Sequence, residues 1–370
     1  MIHRTGWSPD APTVIRRIGS YYYVRHLGHE FACKLRARLS KERVQVAIGD
    51  RVKLDEVDEI HRTAWIVDLE PRFNLLPRPT LANVDQVVIV MAADSPAFSP
   101  LTLDRFLVLA AQSGIEAVVC INKRDKVSAE RLHEMIAPYE DAGYPVVTGS
   151  AKSREVSEIW RVLENRVSVL AGPSGVGKSS LLNALKPGLA LKANEVSEKL
   201  GRGRHTTTFA SLYVLDGPDG EALVGDTPGY SHMEFDALAP TALGWLFPEM
   251  KPHIPHCRFP DCLHRTEPDC AVKTRAAITP DRYSSYLKFL DELIESEKRL
   301  SDTSIKVEET VKWRSAGGGA DKKLVKLGMV ARTDSRRVAR QKLAGVSLND
   351  FEPSDDEAEL HEDDEDFTDP

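Results

Sequence analysis

Eight consecutive residues, Gly172-Pro173-Ser174-Gly175-Val176-Gly177-Lys178-Ser179, fit the phosphate-binding pattern G-x4-G-K-[ST]. An apolar run, Val167–Ala171, precedes them, and Ser180-Leu-Leu-Asn-Ala-Leu follows with helical character. A strand before and a helix after is the context that separates a phosphate loop from a glycine-rich turn. The residue types follow from the task. Glycines let backbone N–H groups converge on an anion, and the helix N-terminus adds its positive end. Lys178 would bridge the β- and γ-phosphates, and the Ser179 hydroxyl would ligate Mg²⁺.

Asn122-Lys123-Arg124-Asp125 follows the apolar run Ala117–Ile121. A carboxylate at Asp125 accepts from both N1–H and the N2 amino group of guanine, and adenine offers neither donor there. Alone, N-K-x-D is a weak match. Beside a phosphate loop it argues for GTP over ATP. Ser150-Ala151-Lys152, after the next strand-like run, suits a loop supporting the base through backbone amides. Asp226-Thr227-Pro228-Gly229 would hold Mg²⁺ through water at Asp226 and sense the γ-phosphate at the Gly229 amide. In His205-Thr206-Thr207-Thr208, Thr207 is expected to complete the Mg²⁺ shell, with Thr206 close behind. Loops ordered by a γ-phosphate and released on hydrolysis act as switches.

The order of these motifs is unusual. Ordinary small GTPases run phosphate loop, threonine switch, D-x-x-G, N-K-x-D, S-A-K. Here N-K-R-D and S-A-K come first and D-T-P-G comes last. One sheet tolerates such a permutation when the old termini lay close together. Where many GTPases keep a water-positioning glutamine stands Tyr230, a poor base near neutrality with a reference pKa of ~10. His205 is the catalytic candidate, with a near-neutral pKa and a phosphate-adjacent position. An RNA contact or an inert loop histidine are the competing readings.

Cys257-x4-Cys262-x-His264-x5-Cys270 offers three thiolates and an imidazole within fourteen residues. That set, with no vacancy, suits a tetrahedral structural Zn²⁺. His256, adjacent to Cys257, is a less well placed ligand, and without a C-x-x-C a redox pair is the weaker reading. Cys33 and Cys120 sit in apolar runs and read as core thiols.

The elements that must position these groups fall into distinct textures along 370 residues. Residues 13–70 alternate in short apolar-polar runs punctuated by Gly19, Gly28 and Gly49-Asp50, the pattern of a small β-barrel or sandwich. Pro71, Pro77 and Pro79 predict a linker. From Val84, strand-like runs (Val84–Met91, Ala117–Ile121, Pro145–Thr148, Val167–Ala171) alternate with helix-like ones (Leu101–Ser113, Ala129–Ala142, Ser153–Glu164), which predicts a mostly parallel sheet covered by helices. A charged amphipathic helix is expected over Asp281–Leu300. Beyond about residue 301 composition predicts disorder, basic over Lys312–Lys342 and acidic over Glu352–Pro370.

The formal charge of −7 is segregated. Residues 1–53 hold eleven Lys and Arg against four Asp and Glu, while the last nineteen residues hold acids and no Lys or Arg. A basic front end competent for nucleic acid, masked by an acidic tail, is one consequence. The absence of an apolar run of about 18 residues predicts no membrane span, and Met1–Trp7 lacks the apolar core of a secretory signal.

Together these residues resemble the ribosome small-subunit-dependent GTPase A family (RsgA, or YjeQ). The resemblance covers roughly residues 13–300. It rests on Asn122-Lys-Arg-Asp, Gly172–Ser180, Gly203-Arg-His-Thr-Thr-Thr, Asp226-Thr-Pro-Gly and the cysteine-histidine spacing. It implies an N-terminal OB-fold (residues 1–78), a circularly permuted P-loop GTPase α/β domain (79–235), a zinc-binding helical module (236–300) and a tail (301–370). It also implies binding of a monomer to the small ribosomal subunit and its rRNA late in maturation, subunit-stimulated conversion of GTP to GDP, and a catalytic histidine matching His205. Tyr230 is a mild departure from the hydrophobic residue usual after D-[ST]-P-G. The compartment is expected to be cytoplasmic for a bacterial chain, or plastid or mitochondrial for a eukaryotic one. A nucleotide-gated RNA-binding scaffold with incidental hydrolysis is the alternative. A metabolic P-loop kinase is more remote, because of N-K-R-D.

Overall fold

In a computed structural model the described residues are 7–8, 10–77, 80–187, 211–217, 220–226, 235 and 238–308. The N-terminal part carries β1 (Thr13–Ile18), β2 (Tyr21–His26), β3 (His29–Leu35), α1 (Ala37–Lys41), β4 (Val52–Asp58) and β5 (Thr63–Leu69). Its strands pair in the order β1-β2-β3-β5-β4, and a bridge from Thr13 to Arg51 brings the two ends of the sheet together. Alternation is the driving pattern. Val14, Val24, Phe31, Cys33, Ala64 and Ile66 point inward and are buried, as strand geometry requires of residues two apart. Tyr22 joins this core while Tyr21 is exposed, so adjacent tyrosines serve opposite faces. The alternating triplet Val44-Gln-Val does not pair as a strand. It crosses from α1 toward Asp50, whose buried carboxylate accepts from the Ala47 N–H at 2.7 Å and from Arg72 Nε at 2.6 Å.

The proline-rich stretch does more than link. β6 (Leu75–Pro77) and β7 (Thr80–Ala82) form a short antiparallel pair. Leu76 and Leu81 are buried there, joining the N-terminal core to the one that follows.

A six-stranded sheet then follows, built from β8 (Gln86–Ala92), α2 (Pro100–Gln112), β9 (Glu116–Asn122), α3 (Ala129–Asp141), β10 (Val146–Thr148), α4 (Ser157–Leu163), β11 (Val167–Ala171), α5 (Lys178–Leu185), β12 (Leu212–Asp216) and β13 (Glu221–Asp226). The order is β10-β9-β8-β11-β13-β12, parallel except for the β12–β13 pair. All seven residues of β8 are buried, because helices cover both faces of a parallel sheet. Val87, Ile89 and Met91 meet the layer holding Leu103, Phe106 and Leu107 of α2 and Met135 and Tyr139 of α3. Val88 and Val90 meet Ile159 and Leu163 of α4 and Leu181 and Leu182 of α5. Ser99 and Ser128 cap α2 and α3 through hydroxyls accepting from N3 amides, as N-caps do.

The chain next forms a 3-10 turn (Pro240–Leu246), α6 (Ala271–Arg275) and the long α7 (Pro280–Glu308). Leu243, Phe247, Met250, Val272, Tyr286, Phe289 and Leu290 share a core with Val108 of α2. Between this core and the one holding Tyr139, the Arg282 guanidinium is buried against Asp104 and Glu249. The fold divides into two units, Met1–Ile294 and Glu295–Pro370. In the second, only the continuation of α7 to Glu308 is described, and the basic and acidic tail lies outside the described residues. Among the described residues no helix is long and apolar enough to cross a membrane.

Candidate functional site

β8, β9 and β11 are neighbours, so the loops leaving their C-terminal ends open on one rim of the sheet. Crevices outside the carboxyl ends of parallel strands are where ligands bind in such folds. The loop from β11 is Gly172–Gly177. Gly172 has φ +133°, and a Cβ there would stand 2.1 Å from the Val90 carbonyl oxygen. Gly177, φ +97°, caps α5, and a Cβ would stand 2.5 Å from Asn122 Nδ2. Both positions therefore require glycine. Lys178 opens α5 and folds its ammonium over the loop, donating to the Gly172 and Pro173 carbonyls at 2.8 and 2.9 Å. Ser179 is half-buried in the first turn, and Ser174 and Ser180 are exposed.

Asn122 ends β9 and is buried. Its Nδ2 donates to the Val176 carbonyl at 2.8 Å, and its Oδ1 accepts from the Ala151 N–H at 3.2 Å. Lys123 takes a left-handed conformation, φ +62°. Its Nζ donates to Gly175 O at 2.9 Å and to Ser95 O in the loop after β8. One asparagine thus ties three motifs together. Asp125 is solvent-exposed, and the Ser150 hydroxyl donates to it at 2.7 Å, holding its carboxyl below the usual range. Arg124 turns from this cleft to Glu155, Nε to Oε2 2.7 Å. Lys152 is exposed and Ala151 half-buried. Asp226 ends β13, its backbone in register with Leu170 of β11. His205, Thr206, Thr207, Gly229 and Tyr230 lie outside the described residues.

The second candidate site lies between the Pro240–Leu246 turn and α7. One ligand atom from each of Cys257, Cys262, His264 and Cys270 lies within 4.8 Å of the others, so the four can share one metal ion. His264 Nδ1 faces the Cys257 and Cys270 sulfurs at 3.6 and 3.5 Å. His264 is left-handed, φ +56°, and its ring packs on Gly244, where a Cβ would stand 3.1 Å from Cδ2 and Nε2. Burial holds the imidazole below its ordinary pKa, favouring the neutral form that can ligate. Burial also pushes the Cys262 thiol up to about 12, so thiolates here call for a cation. Burial would raise Glu267, but N–H donors from Leu263, Arg265 and Thr266 outweigh it and hold its carboxyl low. α7 braces the loop from outside, with Tyr283 and Tyr286 hydroxyls donating to the His264 and Leu263 carbonyls at 2.8 and 2.7 Å. His256 is not part of the cluster.

Residues 13–65 match the family model described as RsgA N-terminal domain, and residues 69–236 the one described as RsgA GTPase. A relative from Moorella thermoacetica named small ribosomal subunit biogenesis GTPase RsgA is 42% identical over 293 residues, 78% of this chain and 99% of that protein. The chain belongs to the RsgA family. A relative of the same name from Shouchella clausii is 40% identical, covering 77% of this chain and 98% of its own length. Among solved structures, YjeQ from Thermotoga maritima matches with a TM-score of 0.65 at 35% identity, over 77% of this chain and 98% of that one. YloQ, titled a circularly permuted GTPase, matches with a TM-score of 0.64 at 30% identity, over 80% and 99%. Permutation in RsgA is visible here as a phosphate-loop strand, β11, that comes late in the chain yet lies between β8 and β13 in the sheet.

What sequence reasoning missed at the site are the supports. Glu155, Ser95, Glu267, Tyr283 and Tyr286 carry no motif. Arg282 was hidden within a charged helix pattern.

Proposed function

We propose that this RsgA-family GTPase binds the small ribosomal subunit late in its maturation and couples GTP hydrolysis to that encounter. The observation that carries the proposal is the reach of Asn122 and Lys123 to the Val176 and Gly175 carbonyls, which supports one nucleotide site assembled from permuted motifs. Asp125, with Asn122 and the Ser150–Lys152 loop, reads guanine. Gly172–Lys178 would cradle the phosphates, and Ser179, Thr207 and, through water, Asp226 would hold Mg²⁺. Bound Mg²⁺ would neutralise charge on the β- and γ-phosphates. His205 is assigned to orient or deprotonate the attacking water, and the Gly229 amide to sense the γ-phosphate.

Zn²⁺ fits the four-residue cluster. Bonds of about 2.3 Å to sulfur and 2.0–2.1 Å to nitrogen imply a tetrahedral edge of about 3.6 Å, beside the 3.5 and 3.6 Å found. With three thiolates and an imidazole filling the shell, its role is structural. The N-terminal sheet, five strands with an interposed α1, is consistent with an OB-fold over residues 1–78. Its RNA-facing chemistry would come from cation-aromatic pairs, Arg16 over Tyr23 at 4.0 Å and Lys34 over Tyr21 at 4.8 Å, since stacked rings and cations are how such folds hold single strands. The remaining boundaries follow as a GTPase domain to about 235 and a zinc module to about 300, the protein acting as a cytoplasmic monomer.

Purified small subunits should raise GTP turnover at least tenfold. An unchanged rate would leave only a nucleotide-gated scaffold. His205→Ala should slow hydrolysis while sparing nucleotide affinity, and normal turnover would clear the histidine of that role.

A further inference from the structure

We infer that Arg124 and Glu155 are positioning residues for guanine recognition, an ion pair that holds the two base-reading loops in register. Arg124 occupies the variable place in N-K-x-D, directly before the aspartate. Its Nε donates to Glu155 Oε2 at 2.7 Å, and its Nη1 to Thr148 Oγ1 at 3.4 Å. Glu155 exchanges both backbone hydrogen bonds with Ser150, at 3.0 and 3.1 Å, closing residues 150–155 into a narrow loop. Ser150 Oγ donates to Asp125 Oδ1 at 2.7 Å and accepts from the Ser153 N–H at 3.3 Å. A ring results, running Arg124, Glu155, Ser150, Asp125 and back to Arg124 through the peptide bond.

The ring explains two local features. The Arg124 N–H donates to the Gly149 carbonyl at 3.1 Å, and a Cβ on Gly149 would stand 2.7 Å from the Glu155 carbonyl oxygen. The first contact joins the two loops through backbone, and the second shows that the 150–155 loop closes on Gly149 too tightly for a side chain. Asp125 itself is exposed, and among the described residues its side-chain hydrogen-bond partner is Ser150, so its aim depends on where the 150–155 loop is held. Among the described residues, the contacts of the pair fall on Thr148, Gly149 and Ser150, at the base end of the site. The phosphate loop is held instead by Lys123 and by Asn122, whose Oδ1 also accepts from the Ala151 N–H.

The effect should therefore fall on base affinity and leave phosphate binding alone. Arg124→Ala, Glu155→Ala and the milder Glu155→Gln should each weaken GDP binding roughly three- to fivefold, the scale of a partly exposed ion pair. KM for GTP should rise by the same factor with kcat at saturation unchanged. Inorganic tripolyphosphate, which lacks a base, should bind all variants as it binds the wild type. Exchanging the pair, Arg124→Glu with Glu155→Arg, should return GDP affinity to within twofold. The assay is fluorescence titration of the full chain. Wild-type GDP affinity in the single variants, a parallel loss of tripolyphosphate affinity, or an exchanged pair as weak as the singles would each overturn the inference. It rests on the guanine-reading role proposed for Asp125. A wild-type protein that binds ADP as well as GDP would remove both, whereas guanine preference with unaffected variants would remove this inference only.

Discussion

Replacing Arg282 by methionine removes one cation from among two carboxylates. Arg282 and Asp104 side chains are 2% and 0% exposed, and Glu249 is 6% exposed. Nη1 donates to Asp104 at 2.6 Å, Nε and Nη2 reach Glu249, and the guanidinium lies 5.3 Å from the rings of Tyr139 and Phe247. Breaking a buried pair by deleting one partner costs about 3–5 kcal/mol, because the other charge stays desolvated. With roughly 2–4 °C lost per kcal/mol in a domain of this size, the melting temperature of Arg282→Met should fall by roughly 10 °C. The deficit should depend on pH. Burial pushes the Asp104 carboxyl up to about 6, against the opposing charge of Arg282. A carboxyl whose folded pKa exceeds its unfolded value near 3.9 binds the extra proton in the folded state, so its contribution falls as pH rises through that window. Without Arg282 the folded pKa rises further, and protonation relieves the stranded charge in mild acid. Urea and thermal unfolding at pH 8 and pH 5.5 should show the larger deficit at pH 8. A variant within about 1 kcal/mol of wild type at pH 8, or an equal deficit at both values, would refute the reasoning.

Lys178→Ala should abolish binding of GTP and of tripolyphosphate in calorimetric titration, since the ammonium supplies the phosphate charge. Asp125→Asn should shift preference from guanine toward xanthine nucleotides, because donor and acceptor reverse; competition between GDP and XDP measures it. Cys262→Ser, or chelation of the wild type, should release one equivalent of zinc by elemental analysis and loosen the segment between the Pro240–Leu246 turn and α7 in limited proteolysis. Retained metal in the variant would argue for other ligands.

The chemistry was legible because its residue types are scarce and their spacing is fixed by the ligand. Gly172, Gly177 and Lys178 answer to phosphate geometry, and Cys257, Cys262, His264 and Cys270 to one ion. The strands of the parallel sheet were legible for a different reason, since burial on both faces makes β8 and β11 nearly continuous apolar runs, broken only by Gln86 and Ser168, which bond each other. Less was legible where distant partners decide. The β6–β7 pair sits in a stretch whose prolines read as a linker, and only the docking of Leu76 and Leu81 into a shared core makes it a hairpin. Val44-Gln-Val has strand composition, yet the Asp50 carboxylate captures the Ala47 amide and shapes a loop. The helix expected from Ser153 begins at Ser157 because Glu155 is paired with Ser150. Arg282 finds Asp104 across 178 residues, a separation no local pattern encodes.

The central place of β8 bears on how the chain is made. Gln86–Ala92 leaves the ribosome first among the strands of its sheet, apolar on both faces. β9 covers one flank soon after. The other waits for β11, since Gln86 meets Ser168 only 82 residues later. At about 5–20 residues per second, that flank stays unsheathed for roughly 4–16 s of synthesis. The chain order of this sheet therefore leaves a nascent strand edge open to mispairing throughout that interval.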